Sequence, residues 1–235
     1  MYIKNRAAAL VFRILLLAGC AYGMITVSGV FQGRLSGRML AYYTNISNIL
    51  CFGYMLLAAA HTLTGIVMKR PAGFPAPLPK LKKAFMLMIT ITVVVYHFIL
   101  APGMYRMNYN YQAFSGTDIL IHYFTPIMFI LDWALFDKKN GIRWYEPLTW
   151  LIIPVAYLIF VLIRAEVGAP LNARSVRYPY LFLDFDLLGA AQVYGYIALC
   201  AAGIVAVGYL FFLLDKLPAL FAGRSVSKDV DINAR

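Results

Sequence analysis

Six apolar runs, each long enough to carry a helix across a bilayer, alternate with short polar turns, and no other feature constrains the fold as tightly. A hydrocarbon core of about 30 Å needs roughly 20 apolar residues in helical form. The runs fall at about Ala8 to Phe31, Ala41 to Met68, Ala84 to Met104, Thr117 to Phe136, Pro147 to Ala165 and Leu187 to Leu214. Lipid offers no partner for a peptide N–H or C=O, so such runs must fold as helices that satisfy their own backbones. The expected fold is all-α, a polytopic bundle of about six transmembrane helices forming one domain over residues 1–215. A short polar tail, 216–235, is expected to be loosely ordered. With 62% hydrophobic residues, 13% charged residues and a mean hydropathy of +0.73, a soluble domain of this length is excluded.

Orientation follows from the cations, because Lys and Arg are retained on the cytoplasmic side. With the N-terminus inside, every lysine lies on the inner face, from Lys4 through Lys69, Lys80, Lys82, Lys83, Lys138, Lys139, Lys216 and Lys228. The outer face then carries only arginines, namely Arg34, Arg38, Arg106, Arg164, Arg174 and Arg177. Both termini are expected in the cytoplasm, and the expected location is a multi-pass cell membrane, the bacterial cytoplasmic membrane. This topology accounts for the net charge of +11, so membrane lipids are the expected partners and nucleic acid is not. The proline-rich stretch from Lys69 to Lys83 reads either as a basic, extended connector against anionic head groups or as a topology signal alone.

The first run follows Lys4 and Arg6 as a signal peptide would, yet it is longer than such a segment and lacks an A-x-A site, so it reads as a retained span. Cys20, Cys51 and Cys200 all lie in apolar runs, make an odd count and lack C-x-x-C spacing, which argues against a disulfide framework.

An ionisable side chain within a span costs about 2.5 kcal/mol or more at its centre, so each one is a candidate for function. These are Arg13, His61, His97, His122 and Asp132, with Asp118 at a span's mouth. At 1.5 Å per residue, Thr44 lies roughly 5 Å, His122 roughly 8 Å and His97 roughly 10 Å below the outer edge, whereas His61 and Asp132 lie near the inner face. Thr44, Ser47, Asn48 and Cys51 recur at i, i+3, i+4 and i+7, which gives one small, polar face on the second span. Asp118, His122, Thr125, Phe129 and Asp132 share a stripe on the fourth, where Asp118 is placed to receive the imidazole N–H of His122. Pro126 lacks an N–H and so leaves the carbonyl of His122, four residues back, without its helix partner.

Such a set has two readings. Intramembrane hydroxyls and amides serve as packing between helices. Alternatively, His122 is the base that turns the Thr44 hydroxyl into a nucleophile, with Asn45, Asn48 or Tyr96 donating to an oxyanion and Ser47, His97 and Asp118 supporting the pocket. Arg13 and Asp132, both in the inner layer, read as a structural ion pair between the first and fourth spans. The last outer loop, with Arg174, Arg177, Tyr178 and Asp184 among many aromatics, is either an interfacial belt or a lid whose arginines meet phosphate or a substrate carboxylate.

Tyr43-Thr44-Asn45-Ile46-Ser47-Asn48 opening the second span, His122 followed by Pro126 in the fourth, and Tyr178-Pro179 leading to Phe182-Leu183-Asp184 form a pattern with a likeness. It resembles the androgen-induced and androgen-dependent integral membrane protein family, and most closely that family's uncharacterised bacterial branch. With span number and order, the likeness covers most of the chain. It implies a threonine-dependent hydrolase of fatty acid esters of hydroxy fatty acids, and carried over by motif its required Thr and His fall on Thr44 and His122. The His-to-Pro spacing matches the bacterial branch better than the animal hydrolases, so fold transfers more safely than substrate.

The expectation is thus an intramembrane lipid ester hydrolase acting on a lipid-like substrate with no cofactor and no metal. The alternative is a non-enzymatic protein of the same fold that binds or transports a lipid or small ligand, although the inverted repeats and paired broken helices typical of transporters are not evident. A haem held by two histidines has only His97 and His122 at a common depth.

Overall fold

The structure, a computed structural model, describes residues 2–33, 37–70, 76–103, 114–171 and 176–232, with side chains through Pro218. Six helices are long and apolar enough to cross a membrane: α1 (Arg6–Ser28), α2 (Tyr43–Val67), α3 (Pro79–Gly103), α4 (Gly116–Phe136), α5 (Glu146–Val167) and α6 (Ala190–Pro218). No strand occurs among the described residues. The chain is an all-α, multi-pass membrane bundle.

Local chemistry sets where the helices begin and end. Asn5 caps α1 by accepting from the N–H of Ala8, and Gly29, at φ +80°, ends it in the left-handed conformation that favours glycine. Pro79 occupies the first turn of α3, where its missing N–H costs nothing. The third span therefore starts several residues before Ala84, and Lys80, Lys82 and Lys83 belong to the helix instead of the preceding connector. Beyond Pro218 the helical backbone continues to Ile232. The run Leu217-Pro218-Ala219-Leu220-Phe221-Ala222 has good helix formers on both sides of a single proline, and no Gly-Pro stop follows it.

Helices α1 to α4 make the tight centre. Leu16 and Cys20 from α1, Cys51, Met55 and Ala58 from α2, Met86 and Ile89 from α3 and Phe129 from α4 are all fully buried. Helices α5 and α6 instead turn large apolar side chains outward, such as Ile152 at 72% and Leu199 at 66% exposure, a pattern that fits lipid as the solvent. At one end of the bundle Arg6 donates to the carbonyls of Gly65 and Arg70, and the N–H of Asn140 bonds to Asp215. This end gathers the start of α1, the end of α2, the start of α5 and the end of α6. It is also the end that carries the lysines.

Close approach of α1 to α4 depends on Gly19 and Gly23. A Cβ at Gly19 would lie 2.2 Å from the Phe124 ring, and one at Gly23 would lie 3.0 Å from Leu120 and Ile121. Gly19→Ala is expected to destabilise the bundle by about 1–3 kcal/mol through overpacking, read as a lowered midpoint of thermal unfolding in detergent. Gly53, which has open space around it, is the control position and should tolerate alanine.

Candidate functional site

Two turns of α3 and α4 depart from α-helical geometry at the same level of the bundle. Tyr96–Leu100 and Leu120–Phe124 are π-helical, closed by Ala101 N–H to Tyr96 C=O and by Thr125 N–H to Leu120 C=O. Single π turns inside helices concentrate at functional sites. The extra residue in α4 also moves the vacancy that Pro126 creates. With bonds running five residues back, the carbonyl left without a helical partner is that of Ile121, not His122. Asn48 fills it, donating from Nδ2 to Ile121 O at 3.0 Å and to Thr44 O at 2.8 Å. Asn48 therefore ties α2 to the irregular turn of α4, and both its amide protons are committed.

The two π turns bring Tyr96 and His122 face to face, with ring centroids 3.6 Å apart and planes 9° from parallel. This stacking fixes the imidazole plane. His122 is buried, and its Nδ1 has no hydrogen-bond partner. The nearest carboxylate oxygen, Asp118 Oδ1, lies at 3.5 Å, beyond a hydrogen bond, and the other oxygen of Asp118 accepts from Ser115 at 2.9 Å. The bond from His122 to the Asp118 carboxylate expected from the i, i+4 spacing is thus not made. Asp118 belongs to the first turn of α4, where its N–H bonds to the Ser115 cap.

A cleft of about 950 Å³ lies at the end of the bundle opposite the lysines. Thr44, Asn45, Tyr96, Asp118, His122, Tyr178 and Asp184 all line it. Beside it lies a smaller, almost wholly apolar slot of about 140 Å³ between α3, α5 and α6. Thr44 borders both cavities. No direct hydrogen bond joins Thr44 to His122 among the described residues, although the two face the same cleft. Asn45 donates one amide proton to Met39 O at 2.9 Å, and its Oδ1 is buried without a partner.

Other side chains singled out by the sequence lie elsewhere. Ser47 donates to Thr44 O and pairs with the Thr92 hydroxyl at 2.8 Å, which makes it a contact between α2 and α3. His97 is exposed, bonds through Nδ1 to the Tyr123 hydroxyl at 3.0 Å and does not line the cleft, because the π turn carries it to the outer flank of α3. Arg177 is committed to Asp186 through contacts of 2.6 to 2.9 Å, with Glu166 at 3.7 Å, so it is not presented to the cleft. That guanidinium holds the Asp186 carboxyl below the usual carboxylate range. Asp184 spends its carboxylate on the N–H groups of Asp186 and Leu187, opening a short helical turn. Arg174, with Arg34 and Arg106, lies outside the described residues.

In the inner layer, Arg13 Nε donates to Asp132 Oδ1 at 2.8 Å, and the same guanidinium bonds to Thr62 and to the carbonyl of Ala58. Sequence reasoning missed the third member. Lys82, fully buried, reaches Asp132 at 2.6 Å and Asp137 at 2.7 Å. The signal was Pro79, which moves the helix start forward and turns Lys82 inward. His61 sits at this same end, near Arg6 and Arg13, remote from the cleft. No group of three or more His, Cys, Asp or Glu side chains able to hold a metal ion occurs among the described residues.

No family model, curated protein or solved structure matches the chain.

Proposed function

We propose that the protein is a lipid ester hydrolase embedded in a bacterial cytoplasmic membrane, with Thr44 as nucleophile and His122 as the proton carrier near the outer leaflet. The observation that carries this reading is the place of Thr44, at the border between an almost wholly apolar slot and a larger cleft that also holds His122. A fatty acyl chain lying in the slot brings its ester carbonyl to Thr44 and leaves the alcohol portion in the cleft. The likeness to threonine-dependent hydrolases supports the same pair.

The steps balance without a cofactor. The Thr44 oxygen adds to the ester carbonyl while its proton passes to His122, directly or through one water. The remaining amide proton of Asn45 donates to the oxyanion in this scheme. Collapse breaks the ester C–O bond, and the imidazolium returns the proton to the leaving alkoxide. Water, deprotonated by His122, then splits the acyl-threonine to free acid and restores the hydroxyl.

A fluorophosphonate probe tests this on purified protein in lipid discs, with the modified residue located by peptide mass. The expected result is one adduct at Thr44, lost on prior incubation with a long-chain ester. Absence of that adduct in folded protein favours the second reading, a lipid-binding protein, which the lack of a direct Thr44 to His122 hydrogen bond favours.

A further inference from the structure

At the end of the bundle that carries the lysines, the N-terminal segment walls a small polar pocket. The N–H of Ile3 bonds to the carbonyl of Leu135 at 2.7 Å, which pins the segment to the end of α4. The pocket it helps to form measures about 50 Å³, and its lining includes Lys4, Asn5, Arg6, Arg13, His61 and Asp137. Such a volume has room for one tetrahedral anion or a few waters.

Its lining is rich in cations. Asp137 is the only acidic member among the described residues, and its carboxylate is held by Lys82 at 2.7 Å. The chain has no Asp or Glu before Asp118, so the walls built from the N-terminal segment, α1 and α2 bring positive charge alone. Arg6 spends both Nη1 protons on the carbonyls of Gly65 and Arg70, which accept hydrogen bonds but leave the charge in place. Lys4 is exposed and makes no hydrogen bond or ion pair among the described residues. Asn5 caps α1 through Oδ1, which leaves its amide protons for a ligand. Deeper along α1 lies Arg13, only 4% exposed. It uses Nε and one Nη2 proton on Asp132 and both Nη1 protons on Ala58 O and Thr62 Oγ1, so one Nη2 proton is left over.

We propose that this pocket binds a phosphate group, with Lys4, Asn5 and Arg6 around it and the Arg13 guanidinium behind. A phosphate oxygen only accepts, and the uncommitted groups of Lys4, Asn5 and Arg13 only donate, so the two sets match in charge and in hydrogen bonding. Carried by an anionic lipid, the group ties the start of α1 to the adjacent leaflet. Carried by the free ion, it fills the same donors from solution. Neither form draws on the hydrolase reading, since the pocket lies at the far end of the bundle from Thr44 and His122.

The test uses full-length protein in maltoside micelles, which carry neither charge nor phosphate. Native mass spectrometry compares retention of phosphatidylglycerol and phosphatidylcholine on the parent, on Lys4→Gln and on Lys80→Gln. Lys80 is an exposed lysine of the same end that does not line the pocket, and Lys4 has no bond to lose, so both variants are expected to fold as the parent does. One phosphatidylglycerol is expected on the parent in preference to phosphatidylcholine, bound about fivefold more weakly in Lys4→Gln and as tightly as before in Lys80→Gln. Inorganic phosphate is titrated in parallel at constant ionic strength, with the midpoint of thermal unfolding as the readout. A response that depends on Lys4 with the lipid alone assigns the site to a head group, and one with inorganic phosphate alone assigns it to the free ion. No Lys4-dependent response to either overturns the proposal. Equal weakening by Lys4→Gln and Lys80→Gln overturns it too, because the effect then belongs to the basic face at large and not to the pocket.

Discussion

Asp132→Asn is expected to lower the unfolding free energy of the bundle by about 3–5 kcal/mol. Asp132 is fully buried and is the common partner of Arg13 at 2.8 Å and Lys82 at 2.6 Å. Two cations and two carboxylates, Asp132 and Asp137, make the cluster neutral. The asparagine keeps the shape but removes the charge, leaving Arg13 and Lys82 to share Asp137 from α1 and α3. One cation then lacks a counter-charge in a medium where bare charge is costly. Neutralising a cation as well, in Asp132→Asn with Lys82→Met, restores the balance and is expected to recover part of the loss. The coupling between the two substitutions is then positive and measurable by a double-mutant cycle. Equilibrium unfolding in mixed micelles reads all three variants. A loss below about 1 kcal/mol for Asp132→Asn would mean that the cluster is wetted and contributes little.

The bundle was legible because hydrocarbon leaves few choices. A run such as Met86 to Val95 can satisfy its backbone in lipid only as a helix, and six such runs with alternating cation counts fix the order of the spans. What the runs do not encode is where polar side chains turn. Lys82 was hidden by its charge, since a lysine beside a proline-rich loop reads as a loop residue until Pro79 is recognised as the first turn of a helix. The π turns were hidden more deeply. Pro126 signals a missing bond, but one inserted residue decides whether Ile121 or His122 bears the vacancy, and that choice depends on Asn48 reaching across from α2. Nor does spacing reveal that Asp118 Oδ1 stops 3.5 Å from His122 Nδ1, or that His97, in the separate π turn of α3, lies outside the cleft. The bond from the Tyr43 N–H to the Tyr180 hydroxyl left no local signal either, because it joins positions 137 apart in the chain.

Hydrolysis is expected to fall to background in Thr44→Ala and by about 10²–10⁴-fold in His122→Gln, with the double variant no worse than Thr44→Ala alone. Glutamine keeps a polar, roughly planar end against Tyr96 but cannot take up a proton near neutral pH. The stacking at 3.6 Å is thus partly preserved while the base is lost. For this reason the unfolding midpoint of His122→Gln is expected to stay close to that of the parent, and kcat is expected to carry the loss with KM little changed. The assay is turnover of a medium-chain ester by protein in lipid discs. If His122 were only a packing element between the two π turns, the turnover per folded molecule would stay at the parent level.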